Sequence, residues 1–472
     1  MLILSRHKTF SILTMFFLTI VSVNSQTRKL KPLDRITIDT PSAGQIKQLI
    51  PKTLFFINNT DIDDDSVSIA EILFNPEIKL IDPDTFKLET SYILPDSSLQ
   101  NRDSSRIIDV HAQDVVQSNV FKIETKDKNA FIVIYGSIRV NGATDYNGLQ
   151  SVSGFNTYFI PVGDANSNVR RFFMSASQTR FGIQGTNKTD YGPINFRIEG
   201  DFRGSSSNSF RIRHAYGQFI NILAGQTWSV FGDPFSIPWT VDIEGPNSSV
   251  NQRAVQIRYS NLIDERFRWT ASVEAPQIDY FSDTINIYQG TPDLAGRLKF
   301  MTRWGHLQAS FILRSLGVRN TIDQPSSSMG VGGLLSGRID LTHNAVVMFQ
   351  MVGGRGISRY ITTLKGTGND LILNPETGLY EPLPVFGGFV SFGYGWKPNL
   401  YSYLTPGFTS VKNLNFQPDD AFSYSGYFSV NTFWDVTKGF RVGAEYSFGS
   451  RVNNDNEFGT ANRISFIIYY SF

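Results

Sequence analysis

The 472-residue chain contains no cysteine. That excludes disulfides, thiol nucleophiles and thiolate metal sites, and leaves the compartment open. Histidine is scarce, at positions 7, 111, 214, 306 and 343 only. No HExxH pair, GxSxG elbow or Walker-type glycine loop occurs. His214 follows Arg211-Ile212-Arg213 with no serine motif beside it, so it reads as structural or lining, not as a catalytic base. The acidic run Asp61-Ile62-Asp63-Asp64-Asp65 lacks the glycine and terminal glutamate of a calcium loop. No catalytic residue, metal site or cofactor is therefore expected. The net charge of +1 is far below that of nucleic-acid binders, and that class is set aside.

Long hydrophobic runs are missing too. A spanning helix needs about 20 apolar residues. The apolar-looking stretches Gly387–Trp396 and Ser465–Phe472 are short and carry Gly, Ser and aromatics. The stretch Ile12–Val23 follows Arg6, His7 and Lys8 and precedes Val23-Asn24-Ser25. That is the three-part form of a secretory signal peptide, with a cut expected before Gln26. It is too short for a single-pass anchor. The mature chain is then either soluble or a membrane β-barrel. In hydrocarbon every backbone N–H and C=O must be paired, and a closed barrel is the only non-helical way to do so.

Residues 26–125 are polar, with Pro at 32, 41, 51, 76, 83 and 95 and no heptads. They read as a periplasmic extension. From about Asn129 the texture becomes period-2 alternation. Phe440, Val442, Ala444, Tyr446 and Phe448 share one face, opposite Arg441, Gly443, Glu445 and Ser447. Ile194, Phe196, Ile198, Gly200 and Phe202 oppose Asn195, Arg197, Glu199, Asp201 and Arg203. Phe267, Trp269, Ala271 and Val273 oppose Arg268, Thr270, Ser272 and Glu274. Aromatics and aliphatics on one face, with ions on the other, fit lipid outside and water inside. The spacing predicts sixteen strands near 129–140, 171–185, 191–203, 209–220, 221–230, 251–260, 266–275, 294–304, 305–316, 328–340, 343–354, 385–395, 398–409, 419–433, 438–449 and 461–472. Tight connections such as Trp304-Gly305-His306 and Thr437-Lys438-Gly439 alternate with long ones at 276–293, 317–327, 355–384 and 450–460. Short turns at one end and long loops at the other suit an outer-membrane barrel. The expected fold class is all-β, a transmembrane antiparallel β-barrel of about 16 strands over 126–472, with an N-terminal periplasmic extension.

The last strand places Ile464, Phe466, Ile468, Tyr470 and Phe472 on one face. It resembles the signal read by barrel-assembly machinery, with Ile468, Tyr470 and Phe472 at its end. Lipid of the outer membrane is the other expected partner.

The segment 178–233 is the most specific. It reads Gln178-Thr179-Arg180-Phe181-Gly182, then Ile198-Glu199-Gly200-Asp201-Phe202, then Phe210-Arg211-Ile212-Arg213-His214-Ala215-Tyr216-Gly217, then Leu223-Ala224-Gly225-Gln226-Thr227-Trp228-Ser229-Val230-Phe231-Gly232-Asp233. This series resembles the DcaP-like family of outer-membrane porins. The resemblance implies a 16-stranded, trimeric barrel that passes small anions such as dicarboxylates. Members often begin with a coiled coil, which residues 26–125 do not show.

Residues 126–472 carry 22 Arg against 8 Lys, and guanidinium makes planar bidentate bonds that ammonium cannot. Arg180, Arg197, Arg203, Arg211 and Arg213 would line one wall, ordered by Glu199 and Asp201. Fixed positive charge in a narrow lumen attracts carboxylates. The plainer alternative is a salt-bridge lattice that stiffens the wall. The segment 232–246, with Pro234, Trp239 and Asp242, is expected to fold inward as a constriction loop. The function expected is a passive channel for small anionic solutes, assembled as a homotrimer. A plugged or substrate-specific transporter or receptor, or an adhesin or structural barrel, is the alternative. Against the first, 347 residues are few for 22 strands, and a lipid transporter needs an apolar lumen face.

Overall fold

The computed structural model describes residues 121–126, 129–147, 149, 154–163, 169–204, 208–280, 286–287, 289–319 and 325–472. The expected signal peptide, the acidic run and the extension up to residue 120 lie outside the described residues.

Sixteen strands form one antiparallel barrel. They are β1 (Ala130–Tyr146), β2 (Arg171–Ser175, resumed at Arg180–Thr189), β3 (Gly192–Asp201), β4 (Arg211–Phe219), β5 (Ile222–Trp228), β6 (Arg253–Leu262), β7 (Phe267–Glu274) and β8 (Asp293–Thr302). Then come β9 (Gly305–Arg319), β10 (Pro325–Asp340), β11 (Ala345–Arg355), β12 (Pro384–Lys397), β13 (Leu400–Val411), β14 (Phe422–Thr437), β15 (Phe440–Asn453) and β16 (Phe458–Ser471). Each strand pairs with the next. The ring closes where β16 meets β1, from Ser137 opposite Ser471 to Tyr146 opposite Asn462. Closure removes the sheet edges that hydrocarbon would not tolerate. Below that seam β1 runs on past the end of β16, and the short strand Phe121–Glu124 pairs with its exposed stretch, Phe131 to Ile134.

The burial pattern is the inverse of a soluble protein's. Phe311, Leu335, Met351, Val390 and Leu404 are each about half exposed, while their chain neighbours Ser310, Ser336, Gln350, Ser391 and Thr405 are buried. Period-2 side-chain direction sends apolar groups to lipid and polar groups to the lumen. This alternation fixes register, because a one-residue slip would put every ion into the acyl chains.

Two-residue connections at 190–191, 220–221, 303–304, 398–399 and 438–439 gather at one end. The other end carries eight longer connections, beginning with the first loop (147–170), second loop (202–210), third loop (229–252) and fourth loop (275–292). They continue with 320–324, the sixth loop (356–383), the seventh loop (412–421) and 454–457. Two of the long loops expected from sequence are taken up by strand: β9 and β10 hold the described residues of 317–327, and β15 and β16 hold most of 450–460. Their Ser, Gly and Asn content reads as loop, but these hairpin tips pair where neither face needs to be apolar.

Candidate functional site

The third loop leaves β5 and folds into the barrel. Its start is held by Glu274, whose Oε1 accepts the Val230 N–H at 2.8 Å. A short 3-10 turn follows, Pro234–Ser236, with Pro234 at its first position. Proline suits that place because its missing N–H has no partner to lose there. Just before it, the buried Asp233 meets His306 of β9 at 2.8 Å and accepts from Ser336 of β10 at 2.9 Å. Gln350 of β11 donates to the Asp233 carbonyl at 2.9 Å. Trp239 then packs on Phe433, with the Arg441 guanidinium 4.6 Å from its ring centre. Glu445 of β15 accepts the Val241 and Asp242 N–H groups. Asp242 pairs with Arg463 of β16 at 2.8 Å, and Arg463 also grips Asp145 of β1. The loop thus runs along the inner wall from β9 round to β1.

The opposite wall carries the sequence-expected ions. Glu199 accepts from Tyr135 at 2.9 Å, from Arg197 and from Arg213 at 2.7 Å. Asp201 accepts both arms of Arg211, at 3.0 and 2.6 Å, and one from Arg213 at 3.1 Å. Arg197, Arg211 and Arg213 are therefore held on two carboxylates as one network. Arg180 stands directly opposite Asp201 in register. Arg203 departs from the wall: it lies beyond the end of β3 and turns to Glu244 of the third loop at 3.6 Å. A bulge interrupts β4, with Glu199 opposite His214 and Gly200 opposite Ile212. Arg213 is the extra residue, and the parity of the strand flips after it. This is why Arg211, Arg213 and His214 can all face inward, His214 meeting Thr227 at 3.0 Å. Simple alternation would send one of them to lipid.

Further buried cations continue the row. Arg258 lies on β6, and Arg268 of β7 sits directly opposite Lys299 of β8. On the other flank Arg139 of β1 is opposite Tyr469 and within electrostatic reach of Arg180, Arg213 and Arg441. Like charges facing across a ladder are unfavourable, and Asp233 of the third loop, 3.7 Å from Lys299, offsets this one.

The sixth loop closes over the third. Thr362 and Thr363 donate backbone N–H groups to Ser249 and Asn247. Ile357, Ile361 and Leu364 pack with Val230, Phe231 and Val250. Arg314, fully buried, joins Asp293 and Asp370 at 3.1 and 3.0 Å and anchors this loop. Asp279 of the fourth loop accepts N–H groups from Gly366, Thr367 and Gly368. Burial and the neighbouring Asp370 push the Asp279 carboxyl up, against those donors. Lys365 projects from the sixth loop with its side chain still reaching water; the packed loops around it, with Arg211, Arg253 and Arg359 nearby against Glu244, push its ammonium down to about 8.

Ile468 and Tyr470 point outward, half exposed, in register with Val140 and Ile138 of β1. Phe472 exchanges both backbone hydrogen bonds with Gly136 at 3.1 Å. A Cβ on Gly136 would come within 2.6 Å of the Phe472 ring, so the seam requires glycine there. Sequence reasoning did not single out Arg463, Arg441, Lys299 or the inward sixth loop. Arg463 had a readable signal: it stands on the polar parity of an otherwise lipid-facing strand.

A closed sixteen-stranded barrel with an apolar outside, an ionic inside and a loop laid along its inner wall is an outer-membrane porin. The chain belongs to the DcaP outer membrane protein family, whose profile matches residues 89–472. Among solved structures it is similar to the outer membrane channel DcaP of Acinetobacter baumannii, at 21% identity and a TM-score of 0.65, over 74% of this chain and 99% of that one. It is also similar to an anion-selective porin from Comamonas acidovorans, at 12% identity and a TM-score of 0.50, over 73% and 100%. No curated protein matches it.

Proposed function

We propose that the channel is passive and water-filled and favours small anions, dicarboxylates among them. The observation that carries this reading is the row of cations on the wall from β1 to β8. Arg139, Arg180, Arg197, Arg211, Arg213, Arg258, Arg268 and Lys299 stand there, with Glu199, Asp201 and, beside Lys299 at 3.7 Å, Asp233 as carboxylates among them. The third loop lies mainly along the rest of the circumference and meets the cationic side at Lys299 and Arg203, so solute passes between the loop and the cationic wall. Pro234, Trp239 and Asp242 set the width as parts of a constriction loop. A fixed positive row in a confined lumen raises local anion concentration and repels cations. Two carboxylates spaced along one solute can meet successive guanidinium groups, each in a planar fork.

On this reading the protein catalyses no reaction and needs no cofactor. It works as a homotrimer, as its resemblance to the family implies. Residues 1–25 direct export and are removed. Residues 26–125 lie in the periplasm, in keeping with Phe121–Glu124 joining the barrel at its short-turn end. The strand ending in Ile468, Tyr470 and Phe472 is read by barrel-assembly machinery. The test is the reversal potential of the purified protein in planar bilayers, first with KCl and then with potassium succinate. Anion preference with measurable succinate current supports the reading; cation preference overturns it.

A further inference from the structure

Away from the cationic wall, at the long-loop end, four segments meet around a cavity of about 440 Å³. That is within the span of small-molecule sites, about 300–1,000 Å³. Tyr158 comes from the first loop, Asn369 and Ile372 from the sixth, Phe416, Gln417 and Asp420 from the seventh with Phe422 just after it, and Arg451 from β15. We propose that this cavity binds a neutral saccharide of one or two pyranose rings.

The argument is an account of hydrogen-bonding capacity. Asn369 uses its amide N–H groups on Thr367 at 2.7 Å and Tyr158 at 3.3 Å, which leaves its carbonyl oxygen to accept. Gln417 uses its carbonyl oxygen on the Leu414 N–H at 2.8 Å, which leaves its amide to donate. Arg451 uses Nε on Asn453 and Nη1 on the Tyr158 carbonyl, which leaves Nη2 to donate. Asp420 feels the charge of Arg451 but makes no hydrogen bond or ion pair among the described residues. The spare capacity is therefore two donors and two acceptors, with one charge of each sign. An anion needs donors only and an amine needs acceptors only. A hydroxyl both donates and accepts, so a polyol matches this mixture.

The rest of the wall suits a sugar's C–H face. Tyr158 stacks on Phe422 with ring centres 4.9 Å apart, and Phe416 and Ile372 extend the apolar surface. The Arg451 guanidinium lies 5.2 and 5.8 Å from the two ring centres, which fixes it in place. Asn369, Gln417 and Arg451 are thus each held by a neighbour before any ligand arrives, which lowers the ordering cost of binding. The site is independent of the permeation reading, since no residue of it belongs to the cationic wall or the third loop.

Saturation-transfer NMR on the full-length protein tests this, in lauryldimethylamine oxide so that no sugar-headed detergent competes. The probes are maltose, lactose and N-acetylglucosamine. Transfer to the ring C–H protons of at least one, half-saturating in the millimolar range, is expected. Phe416→Ala and Asp420→Ala each weaken it at least tenfold, while KCl conductance, the control for an intact barrel, is unchanged. The isosteric Asp420→Asn weakens it less than Asp420→Ala does. No transfer to any of the three sugars overturns the proposal. So does equal affinity in the variants, or displacement of the sugar by succinate.

Discussion

On the proposed reading, Glu199 sets how much of the wall's positive charge is left to solute. Its carboxylate, buried and shared by Arg197, Arg213 and Tyr135, offsets one of the cations of the wall. Glu199→Gln removes the carboxylate that Arg197 and Arg213 share, and leaves Arg211 and Arg213 on Asp201. Breaking such a buried pair from one side costs about 3 kcal/mol, so thermal unfolding in detergent should occur at lower temperature. The reversal potential should move further to the anion side. Arg213→Ala should move it the other way; one bond to Glu199 and one to Asp201 are lost, while Arg197 and Arg211 still grip those carboxylates. Lys365 makes a pH prediction. Its folded value of about 8 lies below that of a free lysine, so the loop mouth loses a positive charge as pH rises through 8. Anion preference should fall between pH 7 and 9, and Lys365→Met should abolish that step. For stability the sign is opposite: the unfolded chain holds the proton longer, so this group favours folding as pH rises. Lys365 keeps contact with water, so conductance is the better readout.

At the level of elements, each of the sixteen strands overlaps the window that alternation assigns to it, several running beyond it, because one face meets lipid and the other water. What alternation could not show is where it breaks. The bulge at Arg213 is invisible to a period-2 reading, although Arg211, Arg213 and His214 within four residues, two parities in one, is its trace. Arg203 illustrates the same limit, since a strand read to 203 ends at 201 and its next arginine leaves the wall for Glu244. The fold of the third loop depends on partners more than 100 positions away, such as Asp242 with Arg463, and local pattern carries no such information. The tethers make a prediction of their own. Arg463→Met removes the clamp on both Asp145 and Asp242, and should raise open-channel noise as the loop loosens. Trp239→Ala removes the ring packed between Phe433 and Arg441 and should increase single-channel conductance in KCl. Unchanged noise and conductance in both would mean that the loop does not border the permeation path.

The whole molecule is defined by an inside-out distribution of polarity. Val390 lies mid-strand on the outer face of β12, half exposed, with Ser391 buried beside it. Val390→Arg should cost about 2–4 kcal/mol if that face meets the bilayer midplane, read from unfolding in lipid vesicles. An effect near zero would mean that the face meets protein or water instead. The same distribution explains why the chain can span a membrane with no long apolar run: sixteen short segments share the task. On the proposed reading it also places the ions where solute travels, so that folding and selectivity would follow from one pattern. The most direct measurement is the zero-current potential of the purified channel across a planar bilayer holding a KCl gradient. Chloride should permeate more readily than potassium, and less so in Arg213→Ala. A channel that passes potassium in preference, or an intact barrel that passes no current, would contradict the account.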